Sequence, residues 1–155
     1  MINLNNIDMV LFDFDNTLCI HKSHNTASDR EYNKNIILGK NCYEKCDMNT
    51  HMKKFMTTCE LRSIRMGLIS STVSYKHMQA KHDWVLNNYD ADLDNYCVGN
   101  PENKIEIMIA ISDALDIERN RILIVDDLCS TLELAANNGF SACTPMEVVN
   151  YIDLI

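Results

Sequence analysis

The stretch "MVLFDFDNT", residues 9–17, constrains this chain more than any other, because an apolar run ends there on two acids. The run leads directly into Asp13, and Asp15 follows two positions later, before Asn16 and Thr17. A continuous apolar run is typical of a strand that is covered on both faces. Burying an unpaired carboxylate costs several kcal/mol. The two acids therefore predict a strand end at which something compensates their charge.

Apolar runs of strand length recur along the chain, with helix-length segments between them. After a first strand at residues 7–13, the pattern predicts strands at residues 66–69, 96–98, 122–125 and 141–143. Helical spacing is found at residues 51–64, 74–89, 103–115 and 130–139, and in the second of these Met78, His82 and Val85 form the expected core stripe. This alternation predicts an α/β fold, a three-layer Rossmann-like parallel sheet with helices on both faces.

Composition limits the classes of protein to consider. A length of 155 residues predicts a single domain. A net charge of -8 argues against a broad surface for nucleic acid or an anionic membrane. No basic-then-apolar leader and no membrane span are visible, and seven cysteines, an odd number, predict free thiols in a reducing cytoplasm. We expect a cytoplasmic protein, and composition leaves open whether it forms an oligomer.

Polar side chains follow the predicted strands at the points where they end. Ser70 follows the second strand, Asp126 and Asp127 follow the fourth, and Lys104 begins a helix. Right-handed crossovers bring the carboxyl ends of parallel strands to one edge, where ligands bind in open α/β sheets. Several carboxylates raise each other's pKa there, and a hard cation such as Mg²⁺ would relieve this. Lys104 and Ser70 would add the positive charge and the hydroxyl that suit a phosphoryl group.

In order along the chain, these residues resemble the four motifs of the haloacid dehalogenase superfamily. Residues 13–17 match its DxDxT motif, and Ser70 after an apolar strand matches its second motif. Lys104 matches the third motif loosely, and Asp126 and Asp127 match the terminal acid pair. The resemblance spans nearly the whole chain. It implies a Rossmann-like core and a Mg²⁺-dependent phosphohydrolase acting on a phosphorylated substrate.

The resemblance also implies a role for each residue. Asp13 would be the nucleophile that forms an aspartyl-phosphate, and Asp15 would be the general acid and then the general base. The carboxylates of Asp13 and Asp127 and the backbone carbonyl of Asp15 would bind Mg²⁺, with Asp126 binding less directly. Ser70 and Lys104 would hold the phosphoryl oxygens. Asp15 must then carry a proton near neutral pH while Asp13 does not. Crowding by the other carboxylates could raise the pKa of one of the two acids and so separate their protonation states.

The sequence departs from the family pattern at two points. Thr131 stands where many members have a further acid four residues after the metal ligand, and Pro101 precedes the third-motif lysine instead of following it. Lys76 and Lys81 are alternatives to Lys104, but they fall inside the helix after the second strand.

Three other functions compete with a phosphatase. A phosphotransferase or mutase of the same family would pass the phosphoryl group to an acceptor other than water. A non-catalytic phosphate- or metal-binding regulatory protein would have little need for Asp15. A phospho-acceptor receiver domain would place its acid pair first and its lysine last, which is the reverse of the order in this chain.

A cap domain could be inserted between the first and second motifs or between the second and third. The first of these gaps is mostly polar, and neither of the two has enough apolar residues for a separate cap domain. We therefore predict a capless or minimally capped enzyme with a small flap within about residues 19–48. His21, Lys22 and His24, which follow the nucleophile loop, are candidates for substrate contact.

Cysteines offer further candidate sites. In "NCYEKC", Cys42 and Cys46 could bind zinc together with His51, His21 or His24, and the alternative is free thiols in a surface segment. Cys129, two residues beyond Asp127, is either a small residue that opens a helix or a reactive thiol near the site.

Overall fold

A computed structural model of the chain describes residues 2–21, 29–40 and 42–152, and among these the side chains of all but residues 29–32, 151 and 152. The strands are β1 (Met9–Phe12), β2 (Cys19–Ile20), β3 (Asp47–Met48), β4 (Arg65–Leu68), β5 (Asp94–Asn95), β6 (Ile122–Val125) and β7 (Ser141–Cys143). The helices are α1 (Asp29–Leu38), α2 (Thr50–Leu61), α3 (Tyr75–Tyr89), α4 (Lys104–Leu115), α5 (Cys129–Asn137) and α6 (Pro145–Ile152). Short 3-10 turns lie at Leu4–Asn6, Pro101–Asn103 and Arg119–Arg121.

Five of the strands form one parallel sheet in the order β5-β4-β1-β6-β7, and β2 pairs with β3 in a separate antiparallel ribbon. The strand that carries Asp13 at its end is therefore the central one. Its two neighbours are the strands that precede Ser70 and Asp126. The predicted α/β class and parallel sheet are confirmed.

Both faces of the sheet are covered, which explains why β1 and β6 are continuously apolar. In β1, Val10 and Phe12 pack on one side with α2, α3 and α6, and Met9 and Leu11 pack on the other side with α4 and α5. All four of these side chains are fully buried. The alternation of side chains along a strand thus feeds two separate apolar layers.

Two sequence-based expectations for the fold are wrong in detail. The third strand is Asp94–Asn95, whereas the residues predicted for it include Val98, which makes only an isolated bridge to Ser71. On α3 the buried positions are His77, Lys81, Val85 and Tyr89 instead of the expected Met78, His82 and Val85 stripe. The apolar pattern was misleading because this helix turns two polar side chains toward the carboxyl edge of the sheet.

Candidate active site

The structure brings the predicted site residues to the carboxyl edge of the sheet. Asp13 directly follows β1, Asp126 and Asp127 directly follow β6, and Ser70 lies two residues after β4. The backbone amide of Asp13 donates to the carbonyl of Val125 over 2.9 Å, which extends the ladder between the two strands to the first acid.

The loop after β1 turns tightly, and this fixes the direction of Asp15. Asn16 adopts a left-handed conformation with φ of 57°, which asparagine tolerates better than most residues. Its amide donates to the carbonyl of Cys19 over 2.8 Å, and the amide of Cys19 donates to the carbonyl of Phe14 over 2.9 Å. The chain therefore reverses within a few residues of the strand end.

Lys104 begins α4 and links two of the acids. Its ammonium nitrogen lies 2.7 Å from Asp13 Oδ1 and 2.7 Å from Asp126 Oδ2. Asp126 is fully buried, and its second oxygen accepts a hydrogen bond from the amide of Leu128. A buried charge needs such partners, because an unpaired one is strongly destabilising.

Asp13, Asp126 and Asp127 form a group of acids that could hold a cation. Each offers an oxygen within 4.8 Å of the others. Burial raises the pKa of Asp13 to about 7, with Lys104 opposing the shift and the charge of Asp126 adding to it. Burial and Asp126 also raise the pKa of Asp127. A divalent cation would stabilise the ionised form of these acids, and carboxylate oxygens are the ligands that Mg²⁺ prefers.

The carboxylate of Asp15 binds a second set of partners. Lys81 Nζ lies 2.6 Å from Oδ2 of Asp15, and His21 Nε2 lies 2.8 Å from Oδ1. Burial alone would raise the pKa of Asp15, but the hydrogen bond from His21 and the charge of Lys81 lower it to about 2. The protein's own groups thus give the reverse of the expected order, in which Asp15 holds a proton and Asp13 does not.

Lys81, set aside above as an alternative to Lys104, contacts two of the predicted site residues, Asp15 and Ser70. Its side chain is only 1% exposed, and besides Asp15 it donates to Ser70 Oγ over 2.8 Å and to the carbonyl of Ser71 over 2.9 Å. Its place inside a helix had argued against it. The available signal was its spacing of four residues from His77 and from Val85 on the buried stripe of α3.

A cavity of about 550 Å³ opens beside Asp15, between the segment before β3 and α3. Its lining combines apolar and polar side chains, among them Asp15, Ile36, Tyr43, Ser71, His77 and Lys81. Of the residues predicted to contact substrate, His21 lies against Asp15, whereas Lys22 and His24 lie outside the described residues.

The other candidates do not join these acids. Cys42 Sγ donates to the carbonyl of Asn35 over 3.2 Å, and His51 is exposed on α2. Cys46 lies instead with Cys19 and His21. Cys129 is exposed at the start of α5.

Thr131, the residue that stands where many family members have a further acid, is buried on α5.

Over the part of the chain that the structure describes, none of the helices combines the length and the apolar character needed to cross a bilayer.

No protein-family model and no curated protein matches the sequence. Solved structures do share the fold. One is the N-terminal part of a Bacteroides fragilis protein containing a phosphatase domain, complexed with Mg, with a TM-score of 0.65 and 13% identity. The alignment covers 96% of this chain and 40% of that one.

A second similar structure is a haloacid dehalogenase family enzyme from Bacteroides thetaiotaomicron, solved as an Asp-to-Ala mutant with magnesium and inorganic phosphate. It has a TM-score of 0.58 and 14% identity, and the alignment covers 89% of this chain and 93% of that one. A third is a hypothetical protein from Xanthomonas campestris, with a TM-score of 0.58 and 15% identity, covering 91% of this chain and 65% of that one. This chain thus spans less than two thirds of the first and third of these proteins. The resemblance to the haloacid dehalogenase superfamily is confirmed at the level of the fold.

Proposed function

We propose that this protein is a Mg²⁺-dependent phosphatase that hydrolyses a phosphate monoester through an aspartyl-phosphate on Asp13. The observation that carries the proposal is the contact of Asp13 with Lys104, in a group with Asp126 and Asp127, at the carboxyl edge of the central strand. A carboxylate nucleophile, a fixed ammonium and a cluster of hard oxygen ligands together suit phosphoryl transfer. The haloacid dehalogenase-like fold and the order of the four motifs support the same reaction.

Asp13, Asp127 and the backbone carbonyl of Asp15 would hold Mg²⁺, with Asp126 binding less directly. When bound, the cation would neutralise charge on these carboxylates and on the phosphoryl oxygens. The ammonium of Lys104 would hold one phosphoryl oxygen. Ser70, whose hydroxyl oxygen accepts a hydrogen bond from Lys81, would donate its hydroxyl to a second phosphoryl oxygen.

In the first step an oxygen of Asp13 attacks phosphorus, the bond to the leaving oxygen breaks, and that oxygen takes the proton that a monoanionic phosphate ester brings, passed on by the ionised carboxyl of Asp15. In the second step Asp15 accepts a proton from water as the water oxygen attacks phosphorus. The bond from phosphorus to Asp13 then breaks, the proton held by Asp15 leaves with inorganic phosphate, and both carboxylates are restored. The low pKa of Asp15 keeps its carboxyl ionised, as acceptance of a proton in the second step requires.

The predicted flap at about residues 19–48, of which residues 22–28 and 41 lie outside the described part of the chain, would serve in place of a cap domain. Ile36 and Tyr43, from this segment, line the cavity beside Asp15. We therefore propose that either a large substrate or a neighbouring subunit covers the site, or that selectivity among small phosphate esters is broad and weak.

A phosphatase assay over a broad panel of phosphorylated metabolites tests the proposal. Phosphate release should require Mg²⁺, stop on chelation and resume when Mg²⁺ is restored. Activity that survives exhaustive chelation, or that only Zn²⁺ restores, would contradict it. Transfer of the phosphoryl group to an added acceptor without phosphate release would favour a phosphotransferase, and no turnover over the whole panel would favour a non-catalytic protein.

A further inference from the structure

A second group of metal-ligating side chains lies next to the candidate active site but shares no residue with the acid cluster. It consists of Cys19, His21 and Cys46, whose ligand atoms all lie within 4.8 Å of one another. Cys46 Sγ is 3.5 Å from His21 Nδ1. Zinc bonds of about 2.3 Å to sulfur and about 2.0 Å to nitrogen, at tetrahedral angles, separate the two ligand atoms by about 3.5 Å. The two side chains therefore already stand at the separation that one tetrahedral ion requires.

The backbone explains why these three residues meet. Cys19 pairs with Met48, and Ile20 with Asp47, across the antiparallel ribbon of β2 and β3. Continuing that register by one residue puts His21 opposite Cys46. Since side chains two apart on a strand share a face, Cys19 and His21 point to the same side. The ligands thus come from both strands of the antiparallel ribbon and the residues next to them, even though 25 positions of sequence separate His21 from Cys46.

The second nitrogen of His21 completes a pattern that is common around bound metals. Metal-ligating histidines usually donate their other N–H group to a carboxylate, which fixes the ring and the tautomer. His21 Nε2 lies 2.8 Å from Asp15 Oδ1, while Nδ1 faces Cys46. This leaves Nδ1 as the nitrogen that would bind a metal.

The chemistry of the donors selects the kind of ion. Thiolate and imidazole ligands favour Zn²⁺ and similar cations, whereas Mg²⁺ prefers oxygen. Two thiolates and a neutral imidazole also cancel the charge of a divalent ion, which suits a site in which Cys19 is fully buried. Three protein ligands leave the fourth position of a tetrahedral ion for water or another small ligand.

We propose that Cys19, His21 and Cys46 bind one thiophilic divalent cation, with Zn²⁺ as the natural occupant, at the base of the flap. The ion would hold the two strands of the β2–β3 ribbon together and would orient His21 toward Asp15. His21 is then a positioning residue for Asp15. This site is separate from the Mg²⁺ site of the proposed phosphatase and does not depend on that activity.

Cobalt binding to the full chain, reduced and freed of metal with a chelator, tests the proposal. Co²⁺ should bind one per chain at this site, with a thiolate-to-cobalt charge-transfer absorption. Zn²⁺ should abolish this absorption, and a large excess of Mg²⁺ should leave it unchanged. The readout is independent of phosphatase activity, so the two proposals can fail separately.

Variants then identify the ligands. Cys46→Ser should remove the charge-transfer band or weaken cobalt binding at least tenfold, and His21→Gln should weaken binding at least tenfold. Cys42→Ser is the matched control, because Cys42 lies in the same segment but donates to the carbonyl of Asn35. It should bind Co²⁺ as the wild type does. Circular dichroism verifies that each variant is folded, and His21→Gln, at a partly exposed position, gives a second test if Cys46→Ser does not fold.

Three results would overturn the proposal. These are the absence of a thiolate band in the wild type, equal loss of the band in Cys42→Ser, and displacement of the bound Co²⁺ by Mg²⁺. The last would place the ion at the carboxylates.

Discussion

The ammonium of Lys81 lies 2.6 Å from a carboxylate oxygen of Asp15, although 66 positions of sequence separate the two residues. Lys81 also donates to the hydroxyl of Ser70. A single side chain from α3 thus connects the residues that follow β1 and β4, and it keeps Asp15 ionised. Among the described residues, the site therefore has two buried ammonium groups, that of Lys104 beside Asp13 and that of Lys81 beside Asp15.

Replacing Lys81 by Met removes the charge but keeps most of the length of the side chain. Hydrogen bonds to charged groups contribute about 1.5–3 kcal/mol, so we expect kcat/KM to fall by about ten- to a hundredfold. Lys76→Met, at an exposed position on the same helix, is the control and should keep wild-type activity. Equal kcat/KM in the two variants would show that Lys81 does not support the site.

Lys104→Met should destabilise the protein because it leaves two buried acids, Asp13 and Asp126, without their shared cation. Removing one partner of a buried pair costs about 3–5 kcal/mol. Mg²⁺ should restore part of this loss, since it would neutralise the same carboxylates. Urea unfolding with and without Mg²⁺ measures both effects, with exposed Lys54→Met as the control. A variant as stable as the wild type, or one that Mg²⁺ does not stabilise, would contradict the geometry described for the acids.

His77 should make the protein less stable as the pH falls. Burial and the nearby Lys81 lower its pKa to about 4, and Nδ1 accepts a hydrogen bond from the amide of Val73, so a proton has no place on that nitrogen. The unfolded chain takes up this proton near its ordinary pKa of about 6.5. The stabilisation is thus complete above about pH 6.5 and is lost as the pH falls toward 4.

His77→Gln should therefore flatten the dependence of the free energy of unfolding on pH between 7 and about 4.5 relative to the wild type. His51→Gln, at an exposed position on α2, is the control. The comparison between variants matters because Asp13, with a raised pKa, acts in the opposite direction over part of this range. The same slope in all three proteins would contradict the prediction.

Gly67 in β4 has no room for a side chain. A Cβ there would lie 2.9 Å from the ring of Tyr96 and 3.0 Å from Leu11 Cδ2. Overpacking a core in this way costs about 1–3 kcal/mol, and we expect Gly67→Ala to lose that much stability in urea. Gly99→Ala is the matched control, because a Cβ at Gly99 meets no atom within 4 Å. Equal stability of the two variants would show that Tyr96 moves aside at little cost.

Part of this molecule could be predicted from its sequence. Sequence signals mark the bounds of β6 and β7 and the start of α4. Each is an apolar run with an acid, a glycine or a lysine at its boundary, as at Lys104 for α4. These signals are local. Each apolar run indicates by itself which of its side chains are buried. The parallel topology then brings the ends of the strands together.

The remaining features depend on contacts between distant parts of the chain. The strands β2 and β3 have two residues each, too few for a periodic pattern, so the meeting of Cys19 and Cys46 could not be predicted. Likewise, the low pKa of Asp15 depends on His21 and on Lys81, a lysine on a buried stripe. No pattern within a short segment reports that pairing.

Oxygen exchange into inorganic phosphate tests the central claim, nucleophilic attack by Asp13, without knowledge of the substrate. If Asp13 attacks inorganic phosphate, one phosphate oxygen leaves as water, and hydrolysis of the aspartyl-phosphate returns an oxygen from the solvent. With Mg²⁺ present, the wild type and the control Asp8→Asn, at the opposite end of β1, should both remove the label from ¹⁸O-phosphate. Asp13→Asn should do so at least a thousandfold more slowly, because an amide is a poor nucleophile. Exchange by Asp13→Asn within about tenfold of the wild-type rate, a barrier change of only about 1.4 kcal/mol, or no exchange by the wild type, would contradict the account.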